Sequence, residues 1–470
     1  MANDELAYLT IAELAERIRS KAVSPVEVTR ATLDRIERLD QKLNAFITVL
    51  ADSALATAKQ SEQRAQRGEL LGPLDGVPVA LKDLFDVAGV KTTCASKIMA
   101  DYVPTEDGEV TRRFKAAGAV IVGKLNLHEF AFGPTSTSPH YGPVHNPWDL
   151  ERITGGSSGG SGAATAAGLA YATTGTDTGG SIRIPAAVCG IFGHKPTYGR
   201  VSRRGIFPLA WSLDHGGPMT RTVRDSAIVM NAISGYDPRD PASADVPVPD
   251  FTSAFGQGVK GLRVGIPRGY FYERLDPSVE RCVEASLTTL KELGVELVEI
   301  DFPGARLSGI ASTIVLFAEA AAVHDEWLRT RRHDYGPDVR GRLVLGKFML
   351  ATDYVNAQRA RTLLIRELQS IMHRVDVLVT PVMPIPVPRL DEKTATTGGS
   401  TEDVRAALTR FTRAFNLTGS PTGAVPCGFT DNGTPVGIQV VGRAFADDTV
   451  LRVCHAYEQA TEWHKRRPPL

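Results

Sequence analysis

The stretch richest in possible chemistry is residues 154–193, TGGSSGGSGAATAAGLAYATTGTDTGGSIRIPAAVCGIFG. Serine hydroxyls stand in it among glycines at a density no ordinary core helix or strand carries. Glycine permits backbone geometries and close approaches that a Cβ forbids, so runs such as Gly155-Gly156-Ser157-Ser158-Gly159-Gly160 imply backbone packed tightly around something. A flexible Gly/Ser linker fits poorly, because the run leads into an Ala-rich helical stretch and is flanked by apolar sequence. A phosphate loop is excluded, since no Lys follows the glycines. Gly155 to Gly159 formally match G-x-S-x-G, but any Gly/Ser run does so by accident. A nucleophile elbow also needs an apolar strand directly before it, and Pro147-Trp-Asp-Leu-Glu-Arg-Ile-Thr154 makes a poor one.

Elements on either side must position these hydroxyls. The first 70 residues read as helices: Thr10-Ile-Ala-Glu13 and Ser24-Pro25-Val-Glu27 are capping boxes, the second with Pro at the first helical position. From Val77 onward, short apolar runs (77–81, 119–122, 169–173) alternate with helical stretches (109–117, 160–168, 223–234). That alternation predicts an α/β fold with a central sheet. Residues 236–256, rich in Pro and Asp, read as a surface linker. Strands follow at 262–266, 296–300, 376–382 and 437–441, with helices at 277–293, 309–374 and 447–463. Residues 383–400, Pro-rich and then Thr-Gly-Gly-Ser, read as a mobile segment.

The whole pattern resembles the amidase signature family. The match covers Ser157-Ser158, Thr176-Asp177-Thr178-Gly179-Gly180-Ser181-Ile182-Arg183, Pro185-Ala186-Ala187, Cys189-Gly190 and Lys195-Pro196-Thr197. Upstream, Gly76-Val77-Pro78-Val79-Ala80-Leu81-Lys82-Asp83 is similar to the family's lysine strand, and Gly123-Lys124-Leu125-Asn126 and Gly142-Pro143-Val144-His145-Asn146-Pro147 fit between. The resemblance implies one compact α/β domain, a central mixed sheet of about ten strands covered by helices on both faces. An N-terminal helical segment (1–70) would pack on the domain proper (71–470), whose catalytic core is 76–225. It further implies Ser181 as nucleophile, Ser157 as the bridging serine on a cis peptide, and Lys82 as base. Thr178, Gly179, Gly180 and Ser181 would offer N–H groups to the oxyanion, with Ser158, Asp177 and Arg183 in support.

These types suit amide hydrolysis. Serine attacks only once a base takes its proton. A free Lys, pKa about 10.4, is almost wholly protonated at pH 7; burial after Val79-Ala80-Leu81 would lower it. An oxyanion donor is typically worth about 2.7–4 kcal/mol in kcat. His194 reads as structural.

Composition bounds the rest. The chain has 470 residues, 53 Lys+Arg and 53 Asp+Glu, for a net charge of zero. That balance argues against nucleic acid as a partner. No apolar run approaching the ~20 residues of a membrane helix is evident, and the acidic start Met-Ala-Asn-Asp-Glu-Leu is unlike a secretory signal. Cys94, Cys189, Cys282, Cys427 and Cys454 form no C-x-x-C pair, which points to a reducing, cytoplasmic setting without a disulfide framework. No His/Asp/Glu cluster suggests a metal. The expected partner is a small-molecule amide, with no cofactor, no membrane and a possible homodimer.

Within the family, one branch is the glutaminase (A) subunit of a tRNA-dependent amidotransferase. Leu150-Glu151-Arg152 and Gly199-Arg200-Val201-Ser202 are similar to it. That branch has a Tyr-Asp-Gly motif where this chain reads Phe317-Ala-Glu-Ala-Ala-Ala-Val-His324, and an amine-holding Asp where this chain has Thr409. The departures favour an uncharged aryl or alkyl amide, with ester or carbamate cleavage as further activities. Candidate pocket walls are Phe130, Phe132, Trp211, Phe317, Phe348 and Met383. The glutaminase is the alternative.

Overall fold

The computed structural model describes residues 5–470; the start of the acidic N-terminus discussed above, residues 1–4, lies outside them. Eleven strands build one mixed sheet. In chain order they are β1 (Phe46–Val49), β2 (Pro78–Lys82), β3 (Val120–Leu125), β4 (Ala172–Asp177), β5 (Phe192–Lys195), β6 (His215–Thr220), β7 (Arg263–Ile266), β8 (Glu296–Glu299), β9 (Val377–Pro381), β10 (Thr422–Phe429) and β11 (Pro435–Val441). Their order across the sheet is β1-β3-β2-β4-β6-β5-β10-β11-β9-β7-β8. Pairing is parallel for β3-β2-β4 and for β9-β7-β8, and antiparallel elsewhere. Helices flank the sheet, giving the single α/β domain of the expected class, with one strand more than the ten expected.

The local signals act as their chemistry dictates. Thr10 and Glu13 form a reciprocal box: Glu13 N–H donates to Thr10 Oγ1 at 3.1 Å and Thr10 N–H to Glu13 Oε2 at 2.8 Å. Ser24 caps 25–43 by accepting from Val26 N–H at 3.0 Å. Its partner is Glu62 rather than Glu27, so the second site is a cap without the reciprocal box. Helix 159–166 carries the Gly/Ser/Ala sequence and packs on helix 183–189. Small residues allow that approach, since a Cβ on Gly162 would lie 3.0 Å from Cys189 Sγ.

Two expectations are corrected. The first part of 383–400 is packed, with Met383, Ile385 and Val387 buried, and the mostly exposed remainder holds Thr394–Thr397, which pairs with Ser400–Asp403 in a hairpin. The second concerns apolar length. Pro303–Val323 spans 21 residues with a mean hydropathy of 1.5 in its most apolar window, which does reach the membrane-span range. Here it forms a short 3-10 turn and helix 308–323, which packs against helices 337–346 and 351–372. All five cysteines are free thiols, four of them buried.

β5 and β6 cross the middle of the sheet with little side chain between them. A Cβ built on Gly217 would stand 2.3 Å from the His194 carbonyl oxygen, a backbone atom held by sheet pairing. Gly217→Ala is therefore expected to cost about 1–3 kcal/mol, the usual range for overpacking, read as a lower midpoint in urea unfolding.

Candidate active site

Lys82 ends β2, whose five residues are all buried. Its Nζ donates to three hydroxyls, Ser157 Oγ at 2.8 Å, Ser158 Oγ at 2.9 Å and Thr176 Oγ1 at 2.7 Å. Its backbone N–H donates to Thr174 Oγ1 at 3.0 Å. Thr174 and Thr176 stand two apart on β4 and therefore share a face. Burial pushes the Lys82 ammonium down to about 7, against the pull of the Asp177 and Asp214 charges. Two other lysines are as deeply buried but differently occupied. Lys124 pairs with Asp83 at 2.8 Å, and Lys195 Nζ donates to the carbonyls of Ser420 and Pro196. Neither touches a serine hydroxyl, so Lys82 is the one placed for proton exchange with serine.

The Gly/Ser turn around Ser157 is wedged into backbone. The Gly156–Ser157 peptide is cis. A Cβ on Gly156 would meet the Gly133 carbonyl oxygen at 2.7 Å, and one on Gly160 the Asn126 oxygen at 2.4 Å. The Ser157 carbonyl accepts from His128 N–H at 3.1 Å and from Ser136 Oγ at 3.2 Å. Ser158 N–H donates to the Ser181 carbonyl at 3.3 Å, joining this turn to the loop that carries Ser181.

That second loop is braced by a buried ion pair. Asp177 accepts from Arg183 Nε and Nη2, each at 3.0 Å. It also takes Gly180 N–H at 2.8 Å, Ile182 N–H at 3.1 Å and Asn416 Nδ2 at 2.8 Å. Burial would raise the Asp177 carboxyl; Arg183, with Lys195 and Asn416, outweighs it and holds the group well below the usual carboxylate range. Arg183 Nη1 also reaches Gln439 Oε1 at 2.8 Å and the Thr412 carbonyl at 3.0 Å. Asp214, pushed up to about 6 by burial, accepts from Thr178 Oγ1 at 2.6 Å.

This bracing corrects one expected oxyanion donor. The Gly180 N–H is spent on Asp177. Among the described residues, the N–H groups of Thr178, Gly179 and Ser181 make no hydrogen bond to protein. They are the donors left for an oxyanion. Asp177 and Arg183 pair with each other rather than with the cavity. His194 is buried against Asp447 at 3.2 Å, away from the serines, as its structural reading expected.

A cavity of about 350 Å³ opens on Ser181, Thr178 and Gly179. Of the six aromatic and Met candidates, Phe132 and Phe317 line it, edge to face with ring centroids 5.2 Å apart. The other four do not. Phe130 is core, packed on Phe207 and His324. Met383 is core beside Ile182 and Val188. Trp211 and Phe348 lie on the surface, Phe348 being 75% exposed. The wall is also charged, against the uncharged pocket expected: Arg342, Arg405, Arg413 and Asp403 line it, along with Thr409. Sequence reading singled out Thr409 but missed the four charged residues, as it missed Thr176, Asp214, Asn416 and Gln439. The Thr174/Thr176 alternation on β4 was a usable signal; the arginines had none, since they lie more than 150 residues downstream in helical sequence.

The family model described as Amidase matches residues 27–451. The chain is 43% identical to the A-type subunit of glutamyl-tRNA(Gln) amidotransferase from Geobacter sp. (strain M21), over 99% of this chain and all of that one. Among solved structures it superposes on the protein complex that revealed the evolutionary origins of an s-triazine catabolic enzyme, with TM-score 0.92 and 35% identity, over 96% and 98% of the two chains. A bacterial aryl acylamidase of the amidase signature enzymes gives TM-score 0.89 and 28% identity, over 97% and 98%.

Lys82 is neutral above a pKa of about 7 and charged below it. The rate at which an arylsulfonyl fluoride labels Ser181 is therefore expected to rise with pH through about 7 and level off above it. Lys82→Met is expected to flatten the profile and slow labelling by about 10²–10⁴-fold, the range of a lost general base. Labelling by mass spectrometry across pH 5–9 checks both.

Proposed function

Because the chain belongs to the amidase family, whose model covers most of its length, we propose that it hydrolyses a primary carboxamide to the acid and ammonia through an acyl-enzyme on Ser181. The observation that carries this is the fully buried Lys82, held by the hydroxyls of Ser157, Ser158 and Thr176. Neutral Lys82 takes the Ser157 proton as Ser157 takes that of Ser181. The Ser181 oxygen then attacks the amide carbon. Negative charge moves to the carbonyl oxygen, facing the free N–H groups of Thr178, Gly179 and Ser181. The relay returns the proton to nitrogen, the C–N bond breaks and ammonia leaves. Water, deprotonated by the same relay, hydrolyses the ester and restores Ser181.

The glutaminase reading is the better supported for the substrate. The 43% identity runs the full length of a glutamyl-tRNA(Gln) amidotransferase chain, and the cavity carries charges that a glutamine-like molecule can use. That relative is named as a subunit, which supports a role beside partner chains. The aryl-amide reading keeps two supports, the Phe132/Phe317 wall and the likeness to an aryl acylamidase.

Two measurements test these assignments. Ser181→Ala is expected to lower ammonia release by about 10³-fold or more while leaving the thermal midpoint near that of the parent; retained turnover would place the nucleophile elsewhere. The purified chain is expected to show a kcat/KM for glutamine at least about tenfold above that for a nitroanilide, since an oriented ion pair outweighs the burial of one ring. The reverse order would restore the aryl-amide reading.

A further inference from the structure

His215 opens β6, is only 4% exposed and takes no part in the proton relay. Burial, the largest influence on it, pushes the imidazole well below its ordinary pKa. The ring is therefore neutral and carries one proton. That proton sits on Nδ1, because Nδ1 faces two acceptors, the Leu213 carbonyl at 2.7 Å and the Asp177 carbonyl at 3.1 Å. Nε2 is buried without a hydrogen-bond partner. The Tyr198 ring meets the imidazole edge to face, with centroids 5.5 Å apart. A phenyl ring would fill the same space and leave no nitrogen unpaired. What the histidine adds is its Nδ1–H.

That N–H holds the peptide leading into the Ser181 loop. The Asp177–Thr178 bond is trans. In a planar trans peptide the N–H points opposite to the C=O, so whatever fixes the Asp177 carbonyl also aims the Thr178 N–H. Two side chains donate to that carbonyl, His215 Nδ1 from β6 and, at 3.0 Å, Asn416 Nδ2 from helix 413–417. The other end of the unit is tied as well. Thr178 Oγ1 donates to Asp214, the residue before His215, at 2.6 Å. Asp214 is anchored in turn, accepting from Leu209 N–H at 2.9 Å and from Ala210 N–H at 3.0 Å. The turn 209–215 thus grips both ends of one peptide unit. Thr178 lines the catalytic cavity, and among the described residues its N–H makes no hydrogen bond to protein.

We infer that His215 is a positioning residue for the oxyanion site: its Nδ1–H turns the Asp177–Thr178 peptide so that the Thr178 N–H meets the charge developing on the substrate carbonyl oxygen. His215 itself touches neither substrate nor the reacting atoms. Full charge appears on that oxygen only as the tetrahedral intermediate forms. A mis-aimed N–H therefore weakens the transition state more than the bound substrate. This inference rests on the acyl-enzyme reading above.

The test compares His215→Phe and His215→Asn with the parent, on the better substrate of glutamine and the nitroanilide. Phe keeps the ring and removes the donor. The Asn side-chain nitrogen stands close to the position of Nδ1 and restores it. His215→Phe is expected to lower kcat by about 10²-fold, the lower end of what one lost oxyanion donor costs. Its KM is expected to stay within about threefold of the parent, the mark of an interaction made only in the transition state. His215→Asn is expected to recover kcat to within about tenfold of the parent. Thermal unfolding shows which variants are folded at the assay temperature. A His215→Phe that matches the parent in kcat, or whose loss lies in KM, overturns the assignment and leaves the acyl-enzyme standing. So does a folded His215→Asn with kcat more than about tenfold below the parent, and that variant decides the question if His215→Phe does not fold. Turnover that survives Ser181→Ala overturns the acyl-enzyme reading and this inference with it.

Discussion

Everything at the centre of this molecule hangs on the buried pair between Asp177 and Arg183, 3.0 Å apart with no solvent access to either side chain. Isolated, each charge would be intolerable in a sheet interior. Together, with Asn416, Gln439 and three backbone N–H groups taking up the remaining hydrogen-bonding capacity, they form a knot. It fixes the turn between β4 and helix 183–189, and that turn presents Ser181. The knot also fixes which N–H groups are spent and which are left over. Gly180 faces inward to Asp177, leaving its neighbours free. The charge of Asp177, with that of Asp214, then opposes the loss of the Lys82 proton. One ion pair thus sets loop shape, donor pattern and part of the local field.

The serine turn depends on a second kind of constraint, backbone against backbone. Gly156 and Gly160 sit where any side chain would strike main-chain atoms of 133–135 and 126. The Ser136 hydroxyl ties the turn further, donating to the Ser157 carbonyl and accepting from Gly159 N–H. Backbone contact and short hydroxyls thus hold the turn, and the Lys82 side chain joins it to the end of β2. The site is polar and buried, and the hydroxyls of Ser157, Ser158 and Thr176 meet at Lys82 Nζ.

Much of this was legible in the sequence because the signals are local. Glycine doublets report close approach, and Val79-Ala80-Leu81 reports a buried strand ahead of Lys82. Four sheet strands gave no such report. β5 reads Phe-Gly-His-Lys, β6 reads His-Gly-Gly-Pro-Met-Thr, and β10 begins Thr-Gly-Ala-Val-Pro; buried on both faces, they satisfy polar side chains internally instead of showing alternation. β1, Phe-Ile-Thr-Val, is a four-residue edge between two helices. The pocket failed for another reason. Aromatic residues distribute among core, surface and cavity alike: Phe130, Phe132 and Phe348 met three different fates within one fold. Only the packing of helices 308–323, 337–346 and 404–409 decides which side chains face Ser181.

The long sequence separations of the Asp177–Arg183 knot carry a consequence for synthesis. Arg183 finds its partners at Thr412, Asn416 and Gln439, separated by 229, 233 and 256 residues. On a ribosome adding about 5–20 residues per second, the segment bearing Ser181 emerges well before the groups that brace it. Until the last quarter of the chain is made, Arg183 lacks those partners and the Ser181 loop lacks its final shape. The brace of the Ser181 loop is thus completed only after residues 412–439 have been made.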